Sequence, residues 1–155
     1  MEPVADDRQS HFQQIRTRAV SEMAEIGVDA EFIPVLVDTF YGRVRGHPQL
    51  GPVFDARLAG QWPEHLAKMK RFWSAVAFKD GGYQGKPVMA HQGIANLEAP
   101  LFKVWLGLFS ETLDDIAPSA EAKDWFMATA ERIAKSLVLS LFYNPAEDDP
   151  ARNGA

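Results

Sequence analysis

The chain has 155 residues and not one cysteine. That absence excludes disulfides, iron–sulfur clusters, thiolate zinc sites and thiol nucleophiles together. Any metal must be held by His, Asp, Glu or Tyr, and the histidines are only His11, His47, His65 and His91. Positive charge is also short: 16 Lys and Arg face 21 Asp and Glu, a formal net charge of −5, which lacks the basic footprint of a nucleic-acid binder. No stretch approaches the ~18 consecutive apolar residues that a membrane span needs. The opening MEPVADDRQSHF has no basic start followed by an apolar run, so it does not read as a signal peptide. The expected setting is the cytoplasm, with neither membrane nor nucleic acid as a partner. The familiar catalytic signatures are missing too. GGYQG at 81–85 fits neither phosphate-loop spacing, and there is no H-E-x-x-H and no G-x-S-x-G.

What the chain has in quantity is aromatic residues: 10 Phe, 4 Trp and 3 Tyr, enough to build either an ordinary core or the lining of a flat cofactor. Their spacing is helical. Phe12, Ile15, Ala19, Met23 and Ile26 recur at three- and four-residue steps. After Asp29, a plausible N-cap, Phe32, Ile33, Leu36, Val37, Phe40, Tyr41 and Val44 form one broad stripe that should stop near Gly46-His47-Pro48. Leu50-Gly51-Pro52-Val53-Phe54 is short enough to predict a single 3₁₀ turn. Trp62, Leu66, Met69, Phe72, Trp73 and Val76 share a face over 61–78, and residues 79–87 are a turn-rich loop. A short segment at 87–92 and a second loop precede a helix over 100–116. Pro118-Ser119 open a last helix that ends at Asn144-Pro145. No segment alternates long enough to argue a strand, so the expected class is all-α, with about five or six helices. Residues 1–28 read as an extra leading helix, 29–144 as the domain, and 145–155 as a disordered acidic tail.

Functional information lies where polar groups interrupt apolar faces. Tyr41 lies on the stripe between Val37 and Val44, His65 shares the face of Trp62 and Met69, and Trp105 is mid-stripe in its helix. Each could be a separately satisfied core residue. Three helices each send one hydrogen-bonding group inward, and each needs a partner, since burying such a group unpaired costs ~1–3 kcal/mol. His91, in GKPVMAHQGI with loops on both sides, can aim an imidazole freely and is a candidate metal ligand. His11 and His47 read as solvated.

Five ordered blocks then resemble the group III truncated haemoglobins. They are Phe40-Tyr41-x-x-Val44-Arg45; Leu50-Gly51-Pro52-Val53-Phe54; Trp62-x-x-His65-x-x-x-Met69-x-x-Phe72-Trp73; Tyr83-x-Gly85-x-Pro87-x-x-x-His91; and Phe102-x-x-Trp105-Leu106-x-Leu108-Phe109. The resemblance runs from about residue 30 to about 143. It implies a two-over-two helical sandwich around haem b, with His91 as the proximal ligand to iron. It places Tyr41, His65 and Trp105 on the distal side, where any catalysis would also occur. It sets Phe54 against the porphyrin, and Met69, Phe72 and Trp73 on the haem-facing side of the distal helix. Tyr83 and Phe102 join the cofactor-binding set, and Lys68 is a candidate partner for a propionate.

The implied function is binding of O₂ or another small diatomic ligand by a cytoplasmic, monomeric haem protein. One alternative is peroxidase-like or nitric-oxide-detoxifying chemistry, which needs an external reductant or reductase because the chain carries no reductase domain. The other is a helical interaction module without haem.

Overall fold

The computed structural model describes residues 4–81 and 99–142. Among them are six helices and no strand: α1 (Val4–Glu25), α2 (Phe32–Gly46), α3 (Leu50–Leu58), α4 (Trp62–Phe78), α5 (Ala99–Ile116) and α6 (Ala120–Phe142). The short segment at 87–92, the loops around it and the C-terminal tail lie outside the described residues. The α2–α4 pair packs over the α5–α6 pair, with α3 bridging α2 and α5 and α1 lying along α4.

The apolar stripe of α2 explains its central place. Ile33, Leu36, Val37, Phe40, Tyr41 and Val44 are all buried, and they meet Phe109 and Leu113 of α5 and Phe126 of α6 in one cluster. Full burial of each large side chain contributes ~1.5–3 kcal/mol, so this cluster dominates the stability of the fold. The expected N-cap is displaced: the cap position is Glu31, which makes no side-chain cap bond, while the Asp29 carboxylate two residues earlier accepts the Phe32 N–H at 3.0 Å. The start of α6 is fixed by Ser119, whose Oγ accepts the Ala122 N–H at 3.0 Å and donates to the Ile26 carbonyl at 2.7 Å. One hydroxyl thereby caps α6 and ties it to the turn after α1. That turn requires Gly27, which sits at φ +88° with Pro118 so close that a Cβ would stand 3.0 Å from it.

α1 uses only part of its stripe. Ala19 and Met23 are buried, whereas Phe12 and Ile15 are exposed. Met23, and Val28 just beyond the helix, belong to the main cluster, so the end of the leading segment enters the core.

The expectation of a single 3₁₀ turn at 50–54 is corrected by the structure. Leu50–Leu58 is a nine-residue α-helix. Leu50, Val53 and Phe54 are buried with Leu58 packed behind them, the i, i+3, i+4, i+8 spacing of an amphipathic helix. Its first turn is capped by an unexpected acceptor: His47 Nδ1 accepts the N–H groups of Gln49 and Leu50 at 3.1 and 3.2 Å. His47, expected to be solvated and idle, therefore closes α2 and opens α3. Gly51 lets the two helices approach, since a Cβ there would lie 2.6 Å from the Arg45 carbonyl oxygen.

Candidate distal pocket

The C-terminal half of α2, α3 and the first turns of α4 converge on Tyr41. Its ring lies 5.0 Å from His65 at 88°, 6.2 Å from Trp62 and 6.3 Å from Phe54. Phe54 and Trp62 are nearly parallel at 6.4 Å, and Trp62 meets His65 edge-on at 5.8 Å. The four rings form a cage in which the phenol and the imidazole are the polar members. α-Helical spacing produces it: Trp62 and His65 are three residues apart and share a face, and the α3–α4 turn brings Phe54 across.

The cage is closed on its outer side by charge. Trp62 Nε1–H donates to Asp55 Oδ1 at 2.9 Å. The Arg45 guanidinium stands 4.7 Å from the Trp62 ring centroid, and its Nε lies 4.0 Å from the same carboxylate oxygen. Spacing alone places Trp62 on the apolar face of its helix and assigns it no polar partner. Its spacing from His65 was a usable signal, but the roles of Arg45 and Asp55 had none, because their contacts cross three helices.

Within the cage, burial pushes the Tyr41 hydroxyl well above the ordinary tyrosine pKa, and burial is the only cause. Among the described residues no hydrogen bond offsets it, so Tyr41 stays a neutral O–H group throughout the physiological range. The Nε2 atom of His65 is shut off from solvent.

The remaining expected site residues fall in three places. Trp105 reaches the cage through Phe40, whose ring lies 5.5 Å from Trp105 and 5.0 Å from Tyr41. Met69 and Phe72 are half-buried on α4, and Lys68 is exposed one step round the helix. Trp73 is buried between helices, stacked on Phe109 at 5.5 Å and tilted against Phe126 at 5.5 Å. Phe102 is buried in a smaller cluster with Ala134, packed by Trp105, Leu106 and Ile133. Tyr83 and His91 lie outside the described residues.

A phenol, an imidazole and a dry aromatic wall can hold a small polar ligand, and three comparisons bear on which one. No family model matches the chain. The group 3 truncated hemoglobin ctb of Campylobacter jejuni is 33% identical over 110 residues, 69% of this chain and 86% of that protein. The chain belongs to the truncated haemoglobin family, group III. The group 2 truncated hemoglobin YjbI of Bacillus subtilis is 26% identical over 118 residues, 72% of this chain and 84% of its own length. The crystal structure of group III truncated hemoglobin from Campylobacter jejuni superposes with a TM-score of 0.69 at 30% identity, covering 75% of this chain and 93% of that one. This truncated globin is all-helical, and no helix among its described residues is long and apolar enough to cross a membrane.

The described residues fit a haem. Tyr41 offers a buried hydroxyl to which no group among the described residues bonds. Leu66, Met69 and Phe72 of α4 and Leu101, Trp105 and Leu108 of α5 are packed on the core yet only partly buried, the character of side chains that can line an apolar, planar group.

Proposed function

We propose that the chain binds haem b with His91 as the axial ligand to iron, and holds O₂ or another small diatomic ligand against Tyr41, His65 and Trp105. The observation that carries this reading is the buried Tyr41 hydroxyl beside His65, kept protonated by burial. When bound, haem would supply an iron able to take both a protein imidazole and a small diatomic ligand.

The chain's own residues do the rest. Phe54, Met69 and Phe72 would exclude water from the porphyrin face, with Tyr83, Phe102 and Trp73 supporting it and Lys68 pairing a propionate. Tyr41 donates its O–H to the outer atom of the ligand. The Trp105 indole N–H is a second donor, and His65 a third when its proton sits on Nε2. A hydrogen bond to a charged acceptor contributes ~1.5–3 kcal/mol. One such bond slows ligand release roughly ten- to a hundredfold, since ~1.4 kcal/mol is a factor of ten. Two or more make a slow-releasing site, poorly suited to simple transport.

The contact of His65 with Tyr41 favours a second reading. An imidazole against a phenol inside a dry cage can hold and pass a proton, which suits peroxidase-like or nitric-oxide-detoxifying turnover with an external reductant.

Hemin titration followed at the Soret band tests the first reading. Saturation at one equivalent, with reversible O₂ binding after reduction, is the expected result; a protein that takes up no hemin refutes it. Steady peroxide turnover with a reductant, lost in His65→Leu, would select the enzymatic reading over the binder.

A further inference from the structure

Three of the four tryptophans stand in one file with phenylalanines between them. Trp105 stacks on Phe109 at 5.8 Å, with the rings 3° from parallel. Trp73 stacks on the same Phe109 at 5.5 Å and 18°. Trp73 then meets Phe126 at 5.5 Å, and Phe126 meets Trp125 at 4.9 Å. The middle of the file is dry: Trp73, Phe109 and Phe126 are 4%, 1% and 0% exposed. Its two ends, Trp105 and Trp125, are half-buried. One end adjoins the cage through Phe40; the other, on α6, reaches the surface.

Packing asks for apolar volume, which leucine or phenylalanine supplies. It does not ask for indoles at both half-buried ends and in the centre. Indole, unlike phenyl, is open to one-electron oxidation, and unlike phenol it can give up that electron without losing a proton at the same time. Because each neighbouring pair of indoles shares one phenylalanine, their separation cannot exceed the sum of two ring contacts, short enough for electron tunnelling.

We propose that this file is an electron relay from the surface at Trp125 to the distal pocket at Trp105, used when a peroxide enters the pocket. The proposal rests on the haem reading above, because haem supplies the one-electron chemistry at the inner end. Hydrogen peroxide is reduced to two waters, its O–O bond breaking as it takes two electrons and two protons. Trp105 gives the electrons one at a time and is refilled by Trp73, and Trp73 by Trp125. Trp125 is re-reduced at the surface by a small one-electron donor such as ascorbate. Each ascorbate monoanion gives up one electron and one proton, so two ascorbates balance one peroxide and the indoles end unchanged. Without a donor, both electrons are drawn from Trp125, and water adds to the oxidised indole with loss of two protons, leaving a hydroxytryptophan that balances one peroxide.

The test uses hemin-loaded protein with its Soret band verified, treated with hydrogen peroxide in the absence of reductant. Peptide mass spectrometry then maps oxidised tryptophan. Trp125 is expected to carry more oxidation than in hemin-free protein treated identically, and ascorbate is expected to suppress it. Trp73→Phe, which keeps the stack but removes the central indole, should lower Trp125 oxidation severalfold and raise that of Trp105. Trp125→Phe, at a half-buried position and so safer for folding, should move oxidation inward to Trp73 and Trp105. A normal Soret band with Trp125 oxidation unchanged by Trp73→Phe, or equal with and without hemin, overturns the relay alone. Absence of the Soret band overturns the haem reading and the relay with it.

Discussion

Replacing Tyr41 by phenylalanine separates what the fold needs from what the ligand needs. The ring is 5% exposed and held by Phe40, Phe54, Trp62 and His65. Tyr41→Phe leaves those ring contacts in place and deletes only the buried hydroxyl, which no group among the described residues bonds. Removing a buried polar group that lacks a protein partner leaves stability unchanged or raises it by up to about 1 kcal/mol. The same change removes a donor worth ~1.5–3 kcal/mol to a negatively polarised ligand, so O₂ release should accelerate roughly ten- to a hundredfold. Urea unfolding of the hemin-free protein measures the first effect and stopped-flow O₂ dissociation the second. The pH dependence gives a third reading. Burial holds the folded-state pKa of Tyr41 above its ordinary value of 10.0, so the unfolded chain loses this proton first as pH rises. The contribution of Tyr41 is therefore fully present below about pH 10 and falls above it, by up to ~1.4 kcal/mol per pH unit; Tyr41→Phe should abolish that fall. An unchanged O₂ off-rate, or a stability loss above ~2 kcal/mol, would refute the reasoning.

Other expectations concern the corner that presents Phe54. His47→Ala should cost ~0.5–2 kcal/mol by leaving the first turn of α3 uncapped, and His47→Asn should recover part of it, both read from urea midpoints. Gly51→Ala should cost ~1–3 kcal/mol, because the new Cβ meets the Arg45 carbonyl and the helices must part. Trp62→Phe should cost about 1 kcal/mol through the lost bond to Asp55. Asp55→Asn should cost less, since an amide oxygen still accepts the indole N–H.

The helices were legible because apolar spacing reports which side of a helix is buried. α2, α4 and α5 lie where Tyr41, His65 and Trp105 had to face inward. α3 was misjudged because its capping acceptor is an imidazole from the preceding turn, whereas the recognisable caps are Ser, Thr, Asp and Asn. Tyr41 and His65 could be picked out as polar interruptions of apolar stripes. The outer clamp of Arg45, Asp55 and Trp62 could not, because residues on three helices meet only once the fold exists. Trp73 marks the same limit: spacing put it on the inner face of α4, but only packing assigns its neighbours, Phe109 and Phe126. His91 and Tyr83 lie outside the described residues, so their roles rest on the resemblance and on experiment.

The central claim, a haem held through His91 opposite the Tyr41–His65 cage, is tested most directly by reconstituting His91→Gly with hemin and then adding imidazole. Weakened uptake and an altered Soret band in the variant, restored by free imidazole entering the vacated axial position, is the predicted result. A His91→Gly protein that binds hemin with the wild-type spectrum and ignores imidazole would contradict it.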